Sequence, residues 1–250
     1  MSRFRELLIA AKSDSAETWE EISCVMFDGN TYVPTNDKIR LNGVIQSTWK
    51  FPAYASFSDN KYFCGVIQSS TSSTSRWFSL HRSFTNSNHR ISSFRGSGLT
   101  NAIISDTLYR ANEPISMTRT ATDFIGTQKL DGVDTTIFSM TTSGSNIAST
   151  LNFFIGAVNY NGSPRSDLED YYFYRISQTN NAGTTTYFDI VPVVSSLGRY
   201  ALYDRIGDEL LFPRKIDEDL DYGGELYPEP PAALSKSLKL FKRDPDEIYG

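Results

Sequence analysis

The chain has 250 residues, and its 24 Lys and Arg against 29 Asp and Glu give a net charge of −5 at pH 7. This length suits one β-sandwich or barrel and is too short for two substantial domains with linkers. An acidic balance argues against a protein that neutralises nucleic-acid phosphates. No apolar run approaches the roughly 20 residues of a membrane-spanning helix, and Met1–Lys12 lacks the apolar segment of a signal peptide. We therefore expect a soluble, non-exported protein with neither nucleic-acid nor membrane partners.

The composition favours strands over helices. Aromatic residues make up 13% of the chain and are set among Ser, Thr, Asn and Gly, which is typical of β-proteins. The two cysteines, Cys24 and Cys64, are too few for a zinc cage or a disulfide framework. Both are predicted to be buried thiols, in keeping with synthesis in a reducing cytoplasm.

The first 16 residues predict a short amphipathic helix. Phe4, Leu7, Leu8 and Ala11 fall at i, i+3, i+4 and i+7 and form one apolar stripe. The helix should end at the Ser13-Asp14-Ser15 turn. We expect Phe4, Leu7 and Leu8 to anchor the chain to a partner protein.

Residues 17–212 predict an antiparallel β-sandwich. From Glu17 the hydrophobic period changes to 2, and short segments are separated by turn residues that tolerate positive φ, as in Asp28–Asn30, Asp131–Gly132 and Asn180–Gly183. The predicted strands are 21–27, 39–51, 62–69, 76–83, 90–95, 115–121, 135–140, 151–158, 170–178, 185–193 and 200–204.

Two of these strands allow finer predictions. In 170–178, Tyr172, Tyr174 and Ile176 should share one face, with Tyr171, Phe173 and Arg175 on the other. In 185–193 the strand should stop at Pro192, because proline cannot donate to a ladder.

The composition changes after Phe212, where prolines interrupt a charged stretch. We interpret residues 213–250 as an extended arm, with Leu234–Phe241 forming a short helix at most. A disordered tail is the alternative. Leu234, Leu238 and Phe241 argue against it, since a solvated tail does not need them and they could dock on a neighbouring subunit.

An ordered series of segments carries a family resemblance. It comprises Leu151–Gly162 (LNFFIGAVNYNG), Asp170–Ile176 (DYYFYRI), Tyr187–Pro192 (YFDIVP) and Gly198–Asp204 (GRYALYD). The series resembles the C-terminal half of concanavalin A-like lectin and laminin-G-like sandwiches of bacteriophage virion proteins, departing from them at Ala201, where the family usually has Gly. The resemblance implies a two-sheet jelly-roll sandwich and a place in the virion. It leaves function open, because the fold serves lectins, glycosidases and spacers alike.

The sequence offers no recognisable catalytic constellation. Glycosidases of this class carry Glu-x-Asp-x-x-Glu on one strand, and that spacing is missing. The acidic run Asp217–Asp221 falls in the predicted arm and is interpreted as solvated. His81 and His89 are too few for a transition-metal site. We therefore predict that the chain is not an enzyme and binds neither cofactor nor metal.

Calcium is the one metal kept open. Asn159, Asn161 and Asp167 fall in one loop, and their side-chain oxygens are of the kind that binds Ca²⁺. Ordinary turn chemistry explains the same residues and is the favoured interpretation.

Glycan binding remains possible, since it asks only for an exposed aromatic ring with polar neighbours. If Phe78 and Leu80 face the core, Trp77 and His81 lie on the outer face and could stack against a sugar. The alternative is that Trp77 packs under a loop or against another subunit. Tyr160 and Asn161 form the best loop candidate, whereas Trp49 is predicted to be core.

Three functions follow in order. The first is a non-catalytic structural or accessory protein of a phage particle, associated with capsid, portal or tail. It would be present in many copies or as a homo-oligomer and held by its two termini. The second is a receptor-recognition module that binds host surface glycan, and the third, disfavoured, is a glycoside hydrolase.

Overall fold

The computed structural model describes residues 17–40, 43–51, 61–67, 76–85, 88–95, 98–104, 110, 113–141, 150–165, 170–216 and 224–229. Within these residues all regular structure is β-strand, so the predicted all-β class is confirmed. None of these residues forms a helix long and apolar enough to span a membrane. The predicted N-terminal helix, with Phe4, Leu7 and Leu8, lies outside the described residues, as do Leu234, Leu238 and Phe241.

The strands run in chain order as follows. They are β1 (Trp19–Glu21), β2 (Val25–Phe27), β3 (Thr31–Pro34), β4 (Gly43–Lys50), β5 (Lys61–Ile67), β6 (Arg76–Thr85), β7 (Asn88–Arg95), β8 (Gly98–Ile104), β9 (Ile115–Arg119), β10 (Asp123–Leu130), β11 (Val133–Thr141), β12 (Phe154–Ile155), β13 (Val158–Tyr160), β14 (Ser163–Arg165), β15 (Tyr171–Asn180), β16 (Thr186–Ser195), β17 (Tyr200–Asp204), β18 (Glu209–Leu211), β19 (Arg214–Lys215) and β20 (Tyr227–Pro228).

These strands form two sheets. Sheet 1 has the order β11-β10-β9-β4-β15-β16-β17-β18, with β1 paired to β16, β2 to β15 and β20 to β2. Sheet 2 has the order β19-β3-β12-β5-β6-β7-β8, with β13 paired to β5 and β14 to β13. Every described pairing is antiparallel except β13 with β5, which is parallel. The antiparallel prediction is therefore confirmed at this level.

The two sheets share one apolar core. The buried cluster takes Ile45, Trp49 and Phe188 from sheet 1 and residues such as Phe63 from sheet 2. Rings meet across the layers: Trp49 and Phe63 have centroids 4.9 Å apart, as do Phe153 and Phe188. Alternation of buried and exposed positions along β4, β9 and β10 supplies the inward row from sheet 1. The prediction that Trp49 is core is confirmed.

Each of the three predicted turns contains a residue with positive φ, since Gly29 and Gly183 adopt it as well as Asp131 and Gly132. Asp131 and Gly132 both have positive φ, 51° and 85°, and join β10 to β11 as a two-residue hairpin, the conformation that an Asp-Gly pair favours. Both cysteines are free and buried, as predicted.

The structure corrects the boundaries of two predicted strands. Residues 21–27 are not continuous, since β1 ends at Glu21 and β2 begins at Val25. Residues 151–158 are likewise divided, because Gly156 has φ 93° and separates β12 from β13. The first break moves the chain from β16 to β15, whereas after the second it stays beside β5 but pairs with it in the parallel direction.

A bulge in β15 corrects the predicted faces of that strand. Its pairing with β4 shifts between Phe173 and Arg175. Phe173 and Ile176 are therefore both buried, whereas Tyr174 is half-buried and Arg175 is exposed. The extra residue re-aims the second half of the strand and places Arg175 on the outer face of sheet 1.

The strand β16 does not stop at Pro192. On one side it pairs with β15 over 186–190 and with β1 over 193–195, so Pro192 lies where the partner changes. Its carbonyl still accepts from the backbone N–H of Ile22 at 3.1 Å. Pro192 has no backbone N–H to donate, and this is tolerated because neither β15 nor β1 lies opposite it.

Part of the segment predicted as an arm joins the sheets. Arg214–Lys215 pair with β3 in sheet 2, and Tyr227–Pro228 pair with β2 in sheet 1. The segment after Phe212 therefore contributes one short strand to each layer.

Candidate functional site

A groove opens where β18 leaves sheet 1 and the chain crosses to sheet 2. Its volume is about 900 Å³. Tyr200, Phe212 and Tyr227 supply three aromatic rings, and the polar side chains are those of Asn36, Arg199, Arg214 and Glu225. We call it the aromatic groove. Such a volume lies at the upper end of the range for pockets that hold drug-sized molecules, about 300 to 1,000 Å³.

Phe212 presents an ordered hydrophobic ring to solvent. It is 49% exposed, yet its edge packs against the buried ring of Trp19 with centroids 6.0 Å apart. The guanidinium of Arg199 lies 5.9 Å from the Trp19 ring and donates from Nε to Oε1 of Glu17 at 3.0 Å. That hydrogen bond holds the pKa of Glu17 below its ordinary value. Because these side chains are already fixed, a ligand on Phe212 has little to reorder.

Polar groups are also fixed at the edges of the groove. Tyr227 donates its hydroxyl to Oε2 of Glu225 at 3.0 Å, and Asn36 donates from Nδ2 to Oε2 of Glu209 at 2.8 Å. Flat aromatic faces next to fixed amide, guanidinium and carboxylate groups suit a ligand that has both apolar C–H faces and many hydroxyls.

Three carboxylates meet next to Asn36. Asp37 lies in the connection from β3 to β4, Asp204 ends β17 and Glu209 begins β18. Their nearest oxygens all lie within 4.8 Å of one another. Oδ2 of Asp37 is buried without a hydrogen-bond partner, whereas Asp204 accepts three backbone N–H groups, from Asp189, Ile206 and Gly207. The cluster can be neutralised by a proton or by an oxygen-seeking cation such as Ca²⁺.

The acidic cluster shifts the titration of Asp37. Burial, then the negative charges of Asp204 and Glu209, raise the pKa of Asp37 to about 7, against the opposite effect of Arg40. A carboxyl that titrates near neutrality can exchange a proton with a ligand at physiological pH.

A smaller cavity, of about 210 Å³, lies on the outer face of sheet 1. We call it the sheet-face cavity. Arg175 and Ser177 of β15, Gln46 and Thr48 of β4, and Ser116 and Thr118 of β9 all line it. Cross-strand register places them in two rows, Ser116–Thr48–Arg175 and Thr118–Gln46–Ser177. Alternation along each strand turns these side chains away from the core.

The residues predicted for glycan binding lie in or next to sheet 2, with Asn161 in the turn after β13, and none of them lines the aromatic groove. Trp77 and His81 are in β6, where the backbone of His81 pairs with Tyr62 and Ser92; their side chains are outside the described residues. Tyr160 ends β13, half-buried, with the guanidinium of Arg165 5.7 Å from its ring. β13 and β6 both pair with β5, so the fold brings the two candidates within one strand of each other. Their role stays a prediction.

The loop considered for calcium is built as a turn. Asn161 is exposed with φ 52°. Asn159 is buried; its Nδ2 donates to the carbonyl of Asn152 at 2.7 Å and its Oδ1 accepts from the N–H of Gly162 at 2.8 Å. Asp167 lies outside the described residues, so calcium binding at this loop stays a prediction.

Sequence reasoning missed the residues that the structure brings together. Tyr200, Phe212 and Tyr227 come from separate parts of the chain, and only the pairing of β19 and β20 with opposite sheets juxtaposes them. Arg175 carried a detectable signal, because it is the only charged residue among the aromatic and apolar residues of 171–176.

No protein-family model and no curated protein sequence matches the chain significantly. The solved structures similar to it include the following three, each at 12% identity. Full-length tailspike protein 2 of an Escherichia coli O157:H7 bacteriophage has a TM-score of 0.42, and the match covers 59% of this chain and 21% of the tailspike chain. The enzymatically active domain of the bacteriophage CBA120 tailspike protein 2 has a TM-score of 0.41, with 59% and 23% covered. A family 18 polysaccharide lyase has a TM-score of 0.28, with 65% and 78% covered.

These comparisons correct one prediction. The chain was expected not to be an enzyme. This prediction is contradicted by the neighbours, because they are named as an enzymatically active tailspike domain and a polysaccharide lyase. The match spans about a fifth of the full-length tailspike, and TM-scores this low transfer no particular activity. The neighbours do not single out the concanavalin A-like family.

Proposed function

We propose that the chain is a glycan-binding β-sandwich of a bacteriophage virion protein and that the aromatic groove is its binding site. The observation that carries this proposal is the Phe212 ring, half exposed yet held from behind by Trp19, at the mouth of a groove of about 900 Å³. Apolar surface inside a concave groove with polar groups at its edges is typical of a ligand-binding site.

The sequence resemblance supports the rest of the proposal. Leu151–Asp204 resembles concanavalin A-like virion sandwiches, which supports a jelly-roll arrangement of the two sheets and a place in the particle. The ends would then hold the chain to other virion proteins through Phe4, Leu7 and Leu8 and through Leu234–Phe241. A truncation after Glu229 tests this, because it keeps both β19 and β20. We expect a folded protein that fails to incorporate into particles.

The binding test compares two exposed hydrophobic residues. Phe212→Ala removes the ring from the groove, whereas Ile206→Ala changes a residue of equal exposure, 51% against 49%, in the turn between β17 and β18. Purified protein is screened on bacterial surface polysaccharides, and the best ligand is titrated by calorimetry. Loss of one stacking contact, about 1.4 kcal/mol, weakens binding about tenfold.

We expect that loss for Phe212→Ala and no change for Ile206→Ala. Equal behaviour of the two variants, or no binding to any polysaccharide, would contradict the proposal.

A second candidate function is cleavage of the bound glycan. It is favoured by Asp37, which has a pKa of about 7 and directly follows Asn36, a lining residue of the groove. A protonated carboxyl can give its proton to the leaving oxygen of a glycosidic bond, while water adds its hydroxyl to the anomeric carbon and its remaining proton passes to the solvent. The assay follows new reducing ends from the best ligand at a series of pH values on both sides of that pKa.

We expect the cleavage rate to fall as the pH rises through the pKa of Asp37, and Asp37→Asn to lose it. The control is Asp131→Asn, which changes an exposed aspartate paired with Arg110 and should keep full activity. Binding without new reducing ends would leave the first proposal standing and remove the second.

A further inference from the structure

The sheet-face cavity has a composition that the aromatic groove lacks. Arg175 is the only charged residue among its lining residues, which are otherwise serine, threonine, glutamine and methionine. No carboxylate faces the cavity from this lining. It therefore offers one guanidinium group, which is paired with Asp189 outside the lining, surrounded by hydroxyl and amide groups.

Arg175 is held by one edge and leaves the other edge open. Its Nε donates to Oδ1 of Asp189 at 2.6 Å, while among the described residues its two terminal nitrogens have no hydrogen-bond partner. The side chain is 52% exposed. A guanidinium fixed through Nε keeps its two NH₂ groups pointing outward, the geometry that receives a carboxylate through two parallel hydrogen bonds.

The support behind Arg175 is itself a charged network. Asp189 is buried, and its second oxygen accepts from Arg205 at 3.0 Å. Arg205 in turn donates from Nε to Glu21 at 2.8 Å. Because Arg205 and Glu21 also hold Asp189 in place, the Arg175 side chain does not need a ligand to become ordered.

The neutral lining matches sugar hydroxyls. Thr48 and Ser116 lie 3.0 Å apart through their hydroxyl oxygens, and Gln46 is exposed beside them. The cavity, about 210 Å³, is smaller than the pockets of about 300 Å³ or more that hold drug-sized molecules. Its size suits one ring at a time.

We propose that the sheet-face cavity binds a carboxylate-bearing sugar, with the carboxylate on the free edge of Arg175 and the ring hydroxyls on Gln46, Thr48, Ser116 and Thr118. This deepens the proposed function, since it rests on the ligand being a glycan, but it concerns a second site. The chain would then prefer acidic polysaccharides, such as those built from uronic acids, over neutral ones.

The test uses two-dimensional amide NMR spectra of the full chain titrated with galacturonate and with galactose oligosaccharides of equal length. We expect amide shifts at 46–48, 116–118 and 175–177 with the acidic sugar and at least tenfold weaker binding of the neutral one there. Inorganic phosphate is a third arm: shifts as strong as those with galacturonate would mean a general anion site and overturn the sugar assignment.

Arg175→Gln should weaken galacturonate binding at these amides at least tenfold and abolish the preference. Arg110→Gln is the control, because it removes the same charge from a side chain of equal exposure, 53% against 52%. Gln46→Ala provides a second variant that keeps the Arg175–Asp189 pair and should weaken both sugars at this site.

Equal binding of the two sugars, or equal loss in Arg175→Gln and Arg110→Gln, would overturn the proposal. The two sites fail separately, since Phe212→Ala reports only on the aromatic groove. If shifts appear only near 198–200 and 212, the groove is the glycan site and the sheet-face cavity is not.

Discussion

Replacing Asp37 with asparagine should make the protein more stable at alkaline pH and leave it unchanged in acid. The pKa of Asp37 rises from 3.8 to about 7 in the folded chain, first through burial and then through Asp204 and Glu209, with Arg40 opposing them. A shift of about 3 units corresponds to about 4 kcal/mol. Because the side chain is only half-buried, solvent screening reduces this to about 2 kcal/mol.

The direction of the stability change with pH follows from the form of Asp37, protonated or ionised, that the folded state prefers. A raised pKa means that the native state holds the proton more tightly than the unfolded chain, so the stability that it contributes is complete below about pH 4 and is lost as the pH rises through about 7. The amide introduced by Asp37→Asn stays neutral throughout. The variant should therefore gain about 2 kcal/mol over the native protein near pH 8 and nothing near pH 4.

The assay is urea unfolding at pH 4, 6 and 8, followed by the fluorescence of the buried Trp19 and Trp49, with a chelator present so that no divalent cation replaces the proton. Asp131→Asn is the control. Its partner Arg110 holds the pKa of Asp131 below its ordinary value, so that variant should show no gain at pH 8. Parallel pH profiles for native protein and Asp37→Asn would refute the assigned proton.

Two further predictions concern the core. Gly156→Ala should cost clearly more stability in urea unfolding than Gly183→Ala. Both glycines have positive φ, but a Cβ at Gly156 would meet the carbonyl oxygen of Thr31 at 2.6 Å, whereas Gly183 has open space, so that Gly183→Ala should cost only about 1 kcal/mol. Burial raises the pKa of Cys24 to about 11 and that of Cys64 well above its ordinary value. Neither should react with a disulfide reagent at pH 8 until the protein is unfolded, and rapid labelling of the native chain would contradict this.

Local chemistry predicted the elements whose signals are local. The Asp131–Gly132 hairpin followed from residues that tolerate positive φ, and Trp49 followed from its place in an alternating strand. The strand β10 (Asp123–Leu130) was not predicted, although its buried and half-buried residues alternate over most of its length, because Gly126 and polar Thr and Gln weaken the apolar pattern.

Long-range pairing decided what the sequence could not show. The bulge after Phe173 exists because β15 must bury Phe173 and Ile176 against the same core while paired with β4. Pro192 remains inside β16 because β15 and β1 leave a gap at that position. Phe212, near the predicted boundary of an arm, becomes a groove residue only because the following chain crosses to sheet 2.

That crossing has a mechanical consequence. Between β18 and β20 the chain enters the second layer at β19 and returns to the first. Each of these two strands pairs with its sheet through two residue pairs, and β20 is further anchored by the buried side chain of Leu226 and by the ion pair of Glu229 with Lys50. A pulling force applied beyond Glu229 would detach β20 and then β19 from their partner strands, one residue pair at a time, before the long strands came under load. Each freed residue would add about 3.5 Å of extended chain. Detachment of the carboxy-terminal crossing would therefore take up the extension before the long strands bear the load.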